Sequence, residues 1–152
     1  MTTTQQNNQE AIATLNELLV ISRDGEQGFR TCAEGVQTPQ LRTQLNQEAQ
    51  RCAQGAQELE AQIRGLGGEP QQGGSFSGSM NRAWTNIKSI ISGLNESAVL
   101  AECERGEAAA RNAYEAALQR NLPANARNLV ERQLSGVKDN QNRVRQLRNA
   151  AS

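Results

Sequence analysis

Apolar side chains recur along this chain every three or four residues, in four long runs separated by glycine- or proline-containing breaks. Nothing alternates as a strand would. The first run sets Ile12, Leu15, Leu19, Ser22, Glu26, Phe29, Ala33 and Val36 on one face, which predicts a helix over about residues 9–36. Thr38 and Pro39 then read as a cap and first-turn pair. The second stripe is Leu41, Leu45, Glu48, Cys52, Ala56, Leu59, Ile63 and Leu66, closed by Gly67 and Gly68. So short a turn between the two runs requires an antiparallel hairpin.

The segment 69–75, EPQQGGS, reads as a linker. A shorter amphipathic piece follows over about residues 76–91, with Met80, Trp84, Ile87 and Ile91 on one face and Gly93 at its close. It is expected to cross the bundle as a short helix between helices 2 and 3. Asn95 caps a third long helix whose inner face is Leu100, Cys103, Glu107, Ala110, Tyr114 and Ala117 or Leu118. Leu122 and Pro123 open the fourth, with Val130, Leu134, Val137, Gln141, Val144 and Leu147 or Arg148 on its stripe. Two hairpins joined by one long crossover follow the chain path of a ferritin-like, all-α, antiparallel four-helix bundle. The expected organisation is a flexible N-terminus over residues 1–8 and a single domain over 9–150.

The stretches LNELLVISRDGEQGFRTCAEGV, AECERGEAAARNAYEAAL and LVERQLSGVKDNQNRVRQLR, with RGLGGEP between them, extend the likeness from an architecture to a family. From Ala11 to Leu147 the chain resembles a bacterial family of uncharacterised four-helix-bundle proteins grouped with the ferritin-like superfamily. Its most specific signature here runs from Ala101 through Glu102, Cys103, Glu104, Arg105, Gly106 and Glu107 to Tyr114. The resemblance implies a fold and no activity, since the family's own biochemistry is unknown.

Three of the long stripes carry a glutamate, and the 152 residues include no histidine. Glu48 lies nine residues past Pro39 and Glu107 ten past Ser97. With helices 2 and 3 parallel, their carboxylates fall within about one helical turn, 5.4 Å of rise. Glu26 precedes the first hairpin by about as much as Glu48 follows it. Glu26, Glu48 and Glu107, with Glu104 in reserve, are therefore the candidate ligands for a hard divalent cation, Fe, Mn, Mg or Ca. Di-iron bundles instead repeat Glu-x-x-His on two helices. Here Glu48 is followed at that spacing by Arg51, Glu131 by Leu134 and Asp139 by Asn142. An arginine beside a carboxylate neutralises it directly. The favoured expectation is accordingly that Arg23, Arg30, Arg51, Arg105 or Arg111 match these acids and that no cofactor is bound.

Charge narrows the options further. Lys plus Arg and Asp plus Glu number 16 each, so no net field favours nucleic acid. The longest apolar run, residues 18–21, is far short of a membrane span. The N-terminus has no secretory pattern, and a cytoplasmic protein is expected. Cys32, Cys52 and Cys103 lack the close spacing of a zinc or redox motif and read as buried free thiols. No histidine can serve as base to a serine or cysteine nucleophile. The amide load is high, with 18 Gln and 14 Asn. Thr43, Gln47, Gln50, Gln54 and Gln57 form an outward stripe suited to solvent or to a second copy, because amides desolvate more easily than charges. The sequence thus points to a non-catalytic, self-associating bundle of structural or interaction role. A degenerate metal-binding bundle is the alternative.

Overall fold

The computed structural model describes residues 2–71 and 95–151, with side chains from 8 to 71 and from 95 to 150. These residues form four helices and no strand: α1 Thr2–Glu34, α2 Pro39–Gly65, α3 Glu96–Ala117 and α4 Ala124–Ala151. The crossover piece expected over 76–91, with Met80, Trp84, Ile87 and Ile91, lies outside the described residues, as does Gly93. Helix α1 begins well before Gln9 because the polar residues ahead of it have no apolar stripe for periodicity to detect. Among the described residues no helix is long and apolar enough to cross a membrane.

Helices α1 and α2 pack along much of their lengths, as do α3 and α4, and α1 also lies against α3. The α2–α4 contact is the slightest of these. Nearly every stripe position faces the common core: Leu15, Leu19, Phe29 and Val36 from α1 and its C-terminal turn, Leu45, Leu59 and Ile63 from α2, Leu100 and Cys103 from α3, Val130 and Val144 from α4. Ile12, Cys52, Leu66, Leu118 and Leu147 are half-buried against it.

The ends of the helices are tied by polar side chains, since terminal N–H and C=O groups have no partner within their own helix. Asn95 Oδ1 accepts from the Ala98 N–H at 2.8 Å, as its cap position predicts. Thr38 departs from expectation. It holds the cap position ahead of Pro39, yet its side chain makes no capping bond. Instead the Glu96 carboxylate reaches over from α3 and accepts from the N–H groups of Gln37 (2.8 Å) and Thr38 (2.7 Å) and from the Thr38 hydroxyl (2.7 Å). These bonds hold the Glu96 carboxyl below the usual carboxylate range.

One device recurs in both connections. The Arg42 guanidinium, in the first turn of α2, donates to the carbonyls of Ala33 (3.3 Å) and Val36 (2.9 Å) at the end of α1. Arg127, in the first turn of α4, donates to Leu118 O and Arg120 O, both at 3.0 Å, at the end of α3. Each places a cation where a helix presents its unpaired carbonyls.

Helix α2 stops as the glycine pair predicts. Gly67 has φ +86°, and the Gly67 and Gly68 N–H groups donate to Arg64 O and Ile63 O at 3.0 Å. This is the Schellman arrangement. Gly68 then passes so close to α1 that an added Cβ would lie 2.7 Å from the Ile12 side chain. Beyond it, Asn16 binds the chain on both sides, donating to Glu69 O at 3.2 Å and accepting from the Gln71 N–H at 2.6 Å. The variant Gly67→Ala forces a side chain into the left-handed region and is expected to lower stability by about 1 kcal/mol, read from the denaturation midpoint. An unchanged midpoint would mean that this turn does not constrain the helix end.

Candidate functional site

Helix spacing brings two of the four candidate carboxylates into the core, Glu48 at 2 % exposure and Glu107 at 3 %. Glu48 falls on the α2 stripe between Leu45 and Cys52, and Glu107 on the α3 stripe between Cys103 and Ala110. A shared guanidinium joins them. Arg51 Nε lies 3.5 Å from Glu48 Oε2, and Arg51 Nη2 lies 3.8 Å from Glu107 Oε2. The two acids thus stand at one level of the bundle, with Arg51 between them.

Their environments differ. Glu48 Oε1 accepts from Gln44 Nε2 at 2.7 Å and from Arg143 Nη1 at 3.0 Å. Two guanidinium groups and an amide surround it. Glu107 has only the distant Arg51, and its Oε2 has no hydrogen-bond partner. Burial pushes the Glu107 carboxyl up to about 8; Arg51 opposes that rise and Glu48 adds to it. At neutral pH Glu107 is therefore largely protonated.

The remaining candidates are held elsewhere. Glu26 is half-buried and pairs with Arg30, four residues along α1, at 2.8 Å. Glu104 meets Arg145 Nε at 3.0 Å and Arg148 Nη2 at 3.2 Å, both from α4. Among the described residues no three His, Cys, Asp or Glu side chains are grouped as a metal ion would need. The donor set at the core, two carboxylates with a guanidinium between them and no imidazole, does not fit a di-iron centre. Of the arginines expected to match acids, Arg30 and Arg51 take Glu26 and Glu48, while Arg23, Arg105 and Arg111 pair with Glu60, Glu102 and Glu115.

Several participants escaped the sequence. Gln44 stands four residues before Glu48 on the same helix, a spacing that places the pair on one face. Arg143 comes from the far end of α4, and nothing local links it to Glu48. Beside the acids runs a second polar chain. Tyr114 OH donates to Gln133 Oε1 at 2.7 Å, so the Ser22 hydroxyl, 3.3 Å away, donates to the Tyr114 oxygen. Gln133 Nε2 passes the chain on to Gly55 O at 3.2 Å and Glu58 Oε1 at 3.1 Å. Burial raises the Tyr114 phenol well above its ordinary range.

The thiols are unactivated where a shift is resolved. Cys32 and Cys103 are buried and Cys52 is half-buried, all as free thiols. Desolvation pushes the Cys52 thiol up to about 12, with Glu107 adding to the rise. The Cys103 thiol is raised well above its usual value, first by burial and then by Cys32 beside it. A thiol held neutral at physiological pH is a poor nucleophile and a poor metal ligand.

The model of a domain of unknown function, DUF2383, matches residues 10–120, which include Glu26, Glu48, Arg51, Glu104, Glu107 and Tyr114. No curated protein matches the chain.

The Glu107 carboxyl gives stability a definite pH dependence. Unfolded, it releases its proton near 4.5; folded, it keeps it until about 8. Between those values the folded state binds more protons, so raising the pH favours unfolding, by up to about 1.4 kcal/mol per pH unit. The stabilisation is fully present below pH 4.5 and lost as pH rises through 8. Of the groups facing it, Arg51 stays charged, and Cys52, Cys103 and Tyr114 stay neutral across this window. Denaturation midpoints measured from pH 5 to pH 9 should fall with pH, and Glu107→Gln should flatten the profile. A wild-type profile already flat would show Glu107 to be ionised in the core.

Proposed function

From the membership of this chain in the DUF2383 family, whose function is unknown, we propose that it is a non-catalytic, self-associating helical-bundle protein. In this reading it is a ferritin-like relative in which an arginine has taken the place of the metal. The two antiparallel hairpins are joined by a crossover helix, and the molecule serves as a structural or interaction element.

One observation carries the reading: Arg51 lies between the buried carboxylates Glu48 and Glu107. It stands three residues after Glu48, where a carboxylate bundle would bear its histidine. A fixed guanidinium there supplies the positive charge that a divalent cation would otherwise supply, and it offers no open coordination position. The raised thiols and the self-satisfied Ser22–Tyr114–Gln133 chain add support, since none of these groups is poised as a nucleophile or base. Self-association is supported by the outer face of α2, where Thr43, Gln47, Gln50, Gln54 and Gln57 are all exposed. An uncharged polar stripe of this kind can be buried against a second copy without stranding ions.

The test is metal content of untagged protein, paired with thermal unfolding with and without Fe, Mn, Mg and Ca. No stoichiometric metal and no shift in melting point are expected. Removing the substitute cation with Arg51→Met should cost about 1 kcal/mol, because Glu48 loses one of its two guanidinium partners and keeps Arg143 and Gln44. A metal near one per chain that raises the melting point and is lost with Glu48→Ala would overturn the reading and make these acids hard-cation ligands.

Sedimentation measurements address the second part. The native chain is expected to associate, and the triple variant Gln47→Glu, Gln50→Glu, Gln54→Glu to sediment as a monomer. An association state unchanged by the three charges would remove α2 from the interface.

A further inference from the structure

A cavity of about 250 Å³ lies where the four helices meet, and each helix contributes a glycine to its wall: Gly25, Gly55, Gly106 and Gly136. A glycine in a helix interior costs about 1 kcal/mol relative to alanine, and an unfilled core costs more. Two of these glycines leave room for side chains of α2. A Cβ on Gly25 would lie 3.2 Å from Cys52 Sγ, and one on Gly136 would lie 2.9 Å from Arg51 Nη1. The cavity borders both α2 and α4, whose mutual contact is slight, and exposed Gln54 and Arg132 stand on its wall. A small guest thus has a route in between these two helices.

Most polar groups on the wall satisfy one another. Ser22, Tyr114 and Gln133 form one chain, and Arg132 holds Glu58 at 3.0 Å. Arg51 and Glu107 do not share in this. Arg51 Nε has no hydrogen-bond partner, and the carboxylates that the guanidinium faces stand off at 3.5 and 3.8 Å, against about 2.7–2.9 Å for a charge-assisted bond. The Arg51 side chain also keeps 35 % of its surface exposed. Glu107 Oε2 is equally without a partner, and a carboxyl that retains its proton at neutral pH is itself a donor. Both groups therefore call for an acceptor. The charges agree: Glu48 faces two guanidinium groups, Arg51 and Arg143, while Glu58 matches Arg132 and Glu107 is neutral. One positive charge is left in excess at this level of the bundle.

We propose that this cavity binds a small organic carboxylate, its head group accepting from the Arg51 guanidinium and the Glu107 carboxyl and its hydrocarbon body lying against Ile21, Ala110 and Val137. The size fits: an apolar cavity of about 150 Å³ accommodates benzene, so this one admits a ring or short chain together with its head group. The head is selected by what the wall lacks. An ionised carboxylate only accepts hydrogen bonds and carries the single negative charge that balances the excess. An ammonium only donates and adds to that excess. A carboxamide accepts through its oxygen but brings no charge and leaves its own N–H groups to be satisfied. This inference goes beyond the self-association proposed for α2 and does not require it, because every wall of the cavity comes from one chain.

The experiment uses the full chain after chelator treatment, so that a carboxylate held by a metal ion is excluded. Gln54, which belongs to both the cavity wall and the α2 stripe, stays native throughout, and sedimentation of each sample reads association separately from binding. Benzoate, benzamide and benzylamine, which share a ring and differ in the head, are titrated calorimetrically and by amide NMR. Benzoate is expected to bind and to shift the Gly25, Gly55, Gly106 and Gly136 amides, with benzamide at least about tenfold weaker and benzylamine not bound. Arg51→Gln is expected to lose about tenfold or more in benzoate affinity. Ala110→Leu, which fills the cavity and keeps both polar groups, should lose it as well. Glu107→Gln keeps an uncharged donor at that position and should hold the affinity within about threefold. Absence of benzoate binding at millimolar concentration, shifts that spare the four glycines, or equal affinity for benzamide or benzylamine would overturn the proposal. So would full affinity in Arg51→Gln or Ala110→Leu, or loss of binding in Glu107→Gln.

Discussion

Two carboxylates enter a core that holds no histidine, and the arrangement around them follows from the need to neutralise them. A buried, uncompensated ion costs several kcal/mol, enough to rival the net stability of a small domain. The chain meets this constraint in two ways within one level of the bundle. Glu48 is surrounded by Gln44, Arg51 and Arg143. Glu107, left with a guanidinium 3.8 Å away, retains its proton instead. The two solutions depend on each other, because the arginine that Glu48 engages is the only close cation Glu107 has among the described residues. Glycine at 136 belongs to the same solution. A methyl group there would lie 2.9 Å from Arg51 Nη1 and displace the guanidinium from between the acids.

Two helices present their acids at a common height only if their ends are fixed. The Glu96 carboxylate joins the first residue of α3 to the start of α2, so the helices bearing Glu107 and Glu48 begin from a shared anchor. Glu96 is exposed, and its effect is one of register rather than of burial. Arg42 and Arg127 tie the α1–α2 and α3–α4 connections in the same manner, each using a first-turn guanidinium to take the last carbonyls of the preceding helix. Asn16 does the corresponding work for residues 69–71, which it draws back onto α1. Position in the core is thus determined by polar bonds at the helix ends, several of them on the surface.

Much of this was legible in the chain itself, for reasons that individual residues make clear. Leu15, Leu45, Leu100 and Val130 lie on their stripes because period alone selects a buried face. Counting from the helix starts sufficed to bring Glu48 and Glu107 to one height. Height alone says nothing of partners: Glu26 pairs with Arg30 on its own helix, although its charge still reaches the Cys52 thiol beside the two acids. Arg143, Arg145 and Arg148 were illegible as partners: pairing across helices depends on side-chain reach and rotation, which leave no periodic trace. Thr38 shows the same limit in miniature. Its type and place predict a cap, and only the fold reveals that Glu96 takes its hydrogen bond. The four glycines stood out one by one, while their convergence on a single cavity needed all four helices in place.

An arginine at the spacing where di-iron bundles carry an imidazole limits the chemistry open to such a core more than a loss of acids would. A neutral imidazole can ligate a metal, exchange a proton near pH 7 and leave coordination positions for a substrate. A guanidinium does none of these, for it stays charged and only donates. Once Arg51 stands between Glu48 and Glu107, redox or hydrolytic chemistry at that level would first have to displace a tethered cation from an acid that is 2 % exposed. Glu107 borders the cavity with an oxygen that no hydrogen bond claims, so the guanidinium that engages Glu48 leaves the second acid to be neutralised by its own proton.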